Sequence, residues 1–199
     1  LGRTLWSRRA GMVAALTLTI MTLHAQHSHW LTVDVPATFW VTLSLLWTAK
    51  LAQEPTLLRE RLRCALFAGI FCGLAAATKY NMALVILPLI AFCIFHLHSA
   101  TNAVKLLATA CVSAIVAFLI ACPGAILESH QFLADIHTEA VHVSNFDDPT
   151  FKDTGNGFLY QITHNLDSGL GLPLLVVSLI AIGYVLYRRR PADALLGFF

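Results

Sequence analysis

Charged residues are scarce in this sequence. Asp, Glu, Lys and Arg make up 12% of the 199 residues, whereas 57% are hydrophobic and the mean hydropathy is +0.71. A soluble domain of this size carries about a quarter charged residues. So little charge cannot cover the surface of a water-exposed globule, and the apolar residues fall in blocks of roughly membrane-spanning length. The composition therefore excludes an ordinary soluble domain and indicates an integral membrane protein.

The sequence also lacks the motifs of several common kinds of site. No Gly-rich phosphate loop, nucleophile elbow or zinc-protease helix is present. The cysteines are few and lie in apolar runs without metal-type spacing, so we predict small buried hydrophobic residues and no disulfide framework. These cysteines are Cys64, Cys72, Cys93, Cys111 and Cys122. We expect no nucleic-acid partner.

Six apolar blocks predict an all-α fold, a polytopic transmembrane helical bundle of about five to six spans. The uncertainty of one span arises because the first block also has the features of a signal peptide. Several blocks have only 15 or 16 residues, fewer than the roughly 20 that a bilayer requires, so flanking residues must complete them. The predicted spans are residues 10–25, 35–49, 64–78, 82–97, 104–122 and 169–187, and the predicted outer loops are 26–34, 79–81 and 123–168.

The two ends of the chain suggest that it is a piece of a larger membrane domain. It begins with Leu1 instead of Met and stops at Phe199, within an apolar run. We therefore treat residues 1–199 as one transmembrane domain, truncated at both ends. The third and fourth blocks could instead form a single bent hairpin around Lys79.

Basic and acidic residues fall mostly on opposite sides of the membrane if each block crosses it once. With residues 1–9 in the cytoplasm, 11 of the 13 Lys and Arg residues are cytoplasmic, and only Lys79 and Lys152 lie outside. Eight of the 11 acidic residues and seven of the nine histidines fall on the outer side. The positive-inside rule predicts this asymmetry, and the opposite orientation would invert it.

The first predicted outer loop carries a polar cluster at the membrane edge. His24, His27, His29 and Asp34 lie within 11 residues, and Pro36 follows near the start of the second block. Asp34 could cap that helix, or it could be an acid placed beside a lipid-borne substrate. The histidines could bind a metal, although their spacing fits no standard site.

Lys79 and Tyr80 close the third block on the same predicted side. Both residue types anchor helices at a membrane interface, but a lone outer cation also suits a phosphate headgroup. In the same block Gly69 and Gly73 are spaced as small-x-x-x-small, which predicts a close approach by another helix.

The order of these motifs resembles a known family. The chain contains His-Ser-His-x4-Asp-Val-Pro-x-x-Phe at 27–39, Gly-Leu-Ala-Ala-Ala-Thr-Lys-Tyr-Asn at 73–81, and Gly-Leu-Gly-Leu-Pro at 169–173 before a span closed by three arginines. This pattern resembles polytopic glycosyltransferases of the C superfold. It is most similar to the dolichyl-phosphate-mannose–protein mannosyltransferase-like family, which includes the aminoarabinose transferases.

The resemblance implies a function and a set of site residues. Such enzymes pass a sugar from a polyprenyl-phosphate donor to a lipid, glycan or protein acceptor, here on the outer face of a bacterial inner membrane. It implies a catalytic role for Asp34, near the donor phosphate or its metal, and substrate binding by His27, His29, Lys79 and Tyr80. It leaves the cofactor open, with a divalent cation as one option, and places the catalytic base before Leu1.

Two other functions stay open from the sequence. A secondary transporter would carry ionisable residues at mid-bilayer, often in paired halves, whereas the interiors of these spans have no Asp, Glu, Lys or Arg. A non-catalytic assembly subunit is the third reading, because the expected base is absent from the chain. The collection of polar groups at one interface favours an enzyme that uses a lipid substrate.

Overall fold

The computed structural model describes residues 1–53, 55–97, 99–145, 157–160, 163 and 166–188. This described part is helical and contains no strand, so the predicted all-α class is confirmed. The α-helices are α1 (Gly2–Leu5), α2 (Arg8–Ile20), α3 (Thr22–His29), α4 (Asp34–Leu51), α5 (Leu58–Thr78), α6 (Leu87–His96), α7 (Ala100–Ala121), α8 (Gly124–Leu127), α9 (Ser129–Asn145), α10 (Gly157–Tyr160), α11 (Asp167–Leu170) and α12 (Leu172–Arg188). A 3-10 helix, Tyr80–Ile86, leads into α6.

Helices α4 and α5 form an antiparallel hairpin. The Trp47 and Phe67 rings stack with centroids 4.6 Å apart, and the Trp40 and Phe71 rings stack at 6.0 Å, so residue numbers rise along one helix as they fall along the other. The buried Ser44 hydroxyl donates a hydrogen bond to the Ala68 carbonyl at 2.9 Å. The hairpin brings the first residue of α4 beside the last turn of α5.

Helix α7 packs in parallel on the other side of α5 through small residues. A Cβ added to Gly69 would overlap Ala110 and Ser113, and one added to Gly73 would overlap Ala114. The Ser113 hydroxyl also hydrogen-bonds the Leu66 carbonyl at 3.1 Å. Close backbone approach between small residues is how helices associate where surrounding lipid gives no hydrophobic gain, and the packing role predicted for the two glycines is confirmed.

The cysteines follow the prediction only in part. They are free thiols, and Cys64, Cys72 and Cys93 are buried as predicted. Cys111 is exposed on α7 and Cys122 is half-buried, so the prediction of burial is wrong for these two. An apolar run cannot tell which face of a helix meets the protein, since lipid and protein interior both accept a small apolar side chain.

Two helices among the described residues are long and apolar enough to cross a membrane, α5 with 21 residues and α7 with 22. This is fewer than the five to six spans predicted. The other apolar blocks fall short for different reasons. Helix α4 has 18 unbroken residues but is not apolar enough, whereas the first and fourth blocks are interrupted. The first block is divided at Met21, whose backbone is extended, and the fourth begins as a 3-10 helix before Pro88 enters the first turn of α6.

The predicted outer loops contain more helix than expected. Residues 26–29 of the first loop continue α3, and the long segment 123–168 contains the amphipathic α9. Polar composition hid α9 because a helix with one polar face resembles a loop when only average polarity is considered. Part of that segment, including Asp147 and Asp148, lies outside the described residues.

Candidate active site

The candidate site forms where the start of α4 meets the end of α5. Asp34 is the first residue of α4, and Lys79 directly follows α5 in an extended conformation (φ −155°, ψ 109°). The Lys79 Nζ donates a hydrogen bond to Asp34 Oδ1 at 2.7 Å, across 45 positions of sequence. The antiparallel hairpin therefore joins the two residues that the sequence placed on one side of the membrane.

His27 completes the cluster from α3. Its Nδ1 lies 3.4 Å from Asp34 Oδ2 and 3.0 Å from the Thr32 hydroxyl oxygen. The two oxygens of the Asp34 carboxylate thus face different partners, Lys79 on one side and the imidazole on the other. This arrangement fixes the orientation of the carboxylate more tightly than either contact alone.

A sharp turn positions His27 against Asp34. Helix α3 ends at His29, and the Thr32 N–H donates back to the His27 carbonyl at 3.2 Å. Leu31 between them has φ 54°, the left-handed conformation that usually falls to glycine at a helix C-terminus. For a leucine this conformation costs about 1–2 kcal/mol, and the side chain is 90% exposed, so packing offsets little of it.

The cluster is partly open to its surroundings. The side chains of Asp34 and Lys79 are 38% and 41% exposed, and that of His27 is 35% exposed. The hydrogen bond from Lys79 holds the pKa of the Asp34 carboxyl below its usual value of 3.8, against the opposing effect of partial desolvation. The nearby His27 lowers the same pKa further. Asp34 is therefore ionised throughout the physiological pH range.

The interpretation of Asp34 as the cap of helix α4 is wrong. Val33 occupies the N-cap position of α4 without any side-chain capping hydrogen bond, and Asp34 is already helical. Its carboxylate makes the two contacts described above instead. A carboxylate in the first helical turn is still favoured by the helix dipole, so this placement is consistent with the local electrostatics.

The other predicted residues, His29 and Tyr80, make none of the described contacts with Asp34. His29 is exposed and is not among the contacts of Asp34, and Tyr80 is 51% exposed at the start of the 3-10 helix. Sequence reasoning missed Thr32 and Leu31, because a threonine in a loop and a leucine in place of glycine carry no recognisable signal. The described residues contain no group of three or more His, Cys, Asp or Glu side chains that could hold a metal ion.

The family assignment agrees with the location of this cluster. The family model described as dolichyl-phosphate-mannose-protein mannosyltransferase matches residues 1–124, which include the whole cluster. The chain belongs to this family. The protein is thus assigned to a family of integral-membrane, mannosyltransferase-like glycosyltransferases. Comparisons with curated proteins and with solved structures gave no significant match.

Proposed function

We propose that this protein is a membrane glycosyltransferase that moves a sugar from a polyprenyl-phosphate donor to a lipid, glycan or protein acceptor on the outer face of the membrane. The observation that carries the proposal is the Lys79–Asp34 ion pair with His27 beside it, within the part of the chain matched to the family.

The position of the pair along the hairpin suits a lipid-borne donor. Asp34 and Lys50 are 16 residues apart on α4, and Arg63 on α5 lies 16 residues before Lys79, which directly follows that helix. At 1.5 Å per residue each separation is about 24 Å, most of the roughly 30 Å thickness of a bilayer core. One end of the hairpin therefore carries the ion pair and the other carries several cations, which supports placing the pair at the outer interface. A polyprenyl-phosphate headgroup would lie at that depth.

The ammonium group of Lys79 has further N–H donors available to a phosphate. An ammonium group has three N–H donors, and within the described part of the chain only Asp34 accepts one of them. The side chain is partly exposed, so a phosphate oxygen can approach the other two. Stabilising negative charge that grows on the departing phosphate is the kind of interaction that lowers a transfer barrier.

Asp34 is better suited to orient Lys79 than to remove a proton. Its pKa is held below 3.8, which makes the carboxylate a weak base near neutral pH. Its two oxygens bridge Lys79 and His27, so it can direct both side chains toward one point. In the proposed reaction Asp34 positions the cation, and Lys79 contacts the phosphate.

The test is transfer by an Asp34→Asn variant. With a radiolabelled polyprenyl-phosphate sugar in native membranes, the variant should lose at least about tenfold in transfer, a loss of roughly 1.4 kcal/mol of transition-state stabilisation. Asp135→Asn is the matched control, because this exposed acid on α9 lies outside the family match and outside the cluster. Unchanged transfer by Asp34→Asn, with normal insertion, would reject the assignment. Uptake of sugar into sealed vesicles without a glycosylated product would favour a transporter instead.

A further inference from the structure

The opposite end of the α4–α5 hairpin carries two cations placed over aromatic rings. Lys50 Nζ lies 3.9 Å from the centroid of the Trp47 ring, and the Arg63 guanidinium carbon lies 5.9 Å from the centroid of the Phe67 ring. The two rings stack at 4.6 Å. The four side chains thus form one cluster, which we call the cation–aromatic cluster.

Each cation is displaced from its ring toward the same end of the hairpin. Lys50 follows Trp47 by three residues near the end of α4, and Arg63 precedes Phe67 by four residues near the start of α5. Because the helices are antiparallel, both offsets point toward the same end of the hairpin. Both charges therefore lie toward the end of the hairpin that is farther from Asp34.

These charges have no acidic partner in the described part of the chain. The ion pairs found there involve only Asp34, and neither Lys50 nor Arg63 contacts a carboxylate. Arg61, by contrast, donates its Nε–H to the Pro55 carbonyl at 2.7 Å. Two cations toward one end of the hairpin, neither in an ion pair among the described residues, leave positive charge that an anion can contact.

We propose that the cation–aromatic cluster binds the phosphate of an anionic phospholipid headgroup. The ammonium of Lys50 and the guanidinium fork of Arg63 would donate to the phosphate oxygens, while Trp47 and Phe67 contact the glycerol and upper acyl chain. Tryptophan favours this depth of a bilayer, and a basic cluster at the inner face of spanning helices recognises anionic headgroups. Contact with the rings also holds both cations in place before the lipid arrives, which lowers the entropy lost on binding.

This site is separate from the proposed sugar-transfer site. The two lie about 24 Å apart along the helices, at opposite ends of one hairpin. The lipid bound here would be a resident of the other leaflet and would take no part in transfer. The inference requires that the hairpin spans the membrane, but it does not depend on the chemistry of the donor.

The test compares lipid binding by purified protein in detergent. Native mass spectrometry would measure binding of phosphatidylglycerol and of phosphatidylcholine to the wild type and to a Lys50→Gln/Arg63→Gln variant. The wild type should bind phosphatidylglycerol more tightly, and removing both cations should weaken that binding about thirtyfold while weakening phosphatidylcholine binding much less. Arg59→Gln is the control, since Arg59 is an exposed cation in the first turn of α5 that lies over no ring among the described contacts.

Each other result has a defined meaning. Equal losses in the Arg59→Gln control and in the double variant would show general charge attraction and overturn the site. Stabilisation of the wild type by inorganic phosphate alone, with no added effect of phosphatidylglycerol, would assign the cluster to a free anion. If the double variant does not fold, Lys50→Gln alone should weaken phosphatidylglycerol binding about fivefold, and no change would reject the proposal. The Asp34→Asn variant should bind phosphatidylglycerol normally, so the two proposals can fail separately.

Discussion

A structural role of the Asp34–Lys79 pair and a role in sugar transfer predict free-energy losses of different size. Both side chains are more than a third exposed, so the pair should contribute only about 0.2–1 kcal/mol to folding despite its 2.7 Å distance. A role in transfer requires more, because a tenfold loss in rate corresponds to about 1.4 kcal/mol. A loss of that size cannot be explained by the lost ion pair alone.

A double-mutant cycle makes this comparison direct. Asp34→Asn, Lys79→Gln and the combined variant would each be measured for sugar transfer and for thermal unfolding. We expect each single variant to lose at least about tenfold in transfer and the combined variant to lose little more, because residues that act as a unit give non-additive losses. Unfolding should change by less than about 1 kcal/mol in all three.

Two results would contradict a joint role of Asp34 and Lys79 in transfer. If the losses in transfer add as independent effects, Asp34 does not act through Lys79. If transfer falls only in proportion to the folded fraction, the pair is structural. Lys79→Arg provides a further check, since it keeps the charge but replaces a compact ammonium by a planar fork and should restore only part of the activity.

Three further predictions concern packing, pH and topology. Gly73→Leu should lower stability by about 1–3 kcal/mol in thermal unfolding, because its side chain would overlap α7, whereas Gly183→Leu enters open space and should change little. Because the pKa of Asp34 is lowered, the ion pair contributes fully at pH values above 3.8 and is lost only as the pH falls through the lower pKa of the folded protein. Between roughly pH 5 and 8, the pH–rate profiles of the wild type and of Asp34→Asn should therefore show the same inflections. In a cysteine-free background, an impermeant thiol reagent added outside should label Ser28→Cys and not Arg61→Cys; the reverse would invert the orientation.

The sequence predicted the features that depend on composition and on the alternation of inner and outer loops. Alternating crossings put Asp34 and Lys79 on one side, and the structure brings them into contact. The spacing of Gly69 and Gly73 predicted a close helix contact, which α7 makes. Each inference needed only one local pattern and one general property of membranes.

The features that the sequence did not predict depend on local backbone choices. The break at Met21 has neither proline nor glycine to mark it, so the first block looked continuous. Leu31 takes a left-handed conformation that normally signals glycine, and this turn brings His27 to the carboxylate. Such choices are decided by contacts between elements, which no local pattern reports.

The opposite charges of Asp34 and Lys79 predict that Asp34→Asn affects donor binding and turnover differently. The Asp34 carboxylate neutralises Lys79 and would also repel a phosphate that binds beside it, by about 3 kcal/mol at 6 Å with an effective dielectric constant near 20. Removing that charge in Asp34→Asn should therefore preserve or tighten donor binding while Lys79 loses its fixed direction, so KM should stay the same or fall as kcat falls. Steady-state kinetics over a range of donor concentration would measure this division. A higher KM with unchanged kcat would mean that Asp34 serves donor binding alone, and its assignment as the residue that aims Lys79 at the departing phosphate would be wrong.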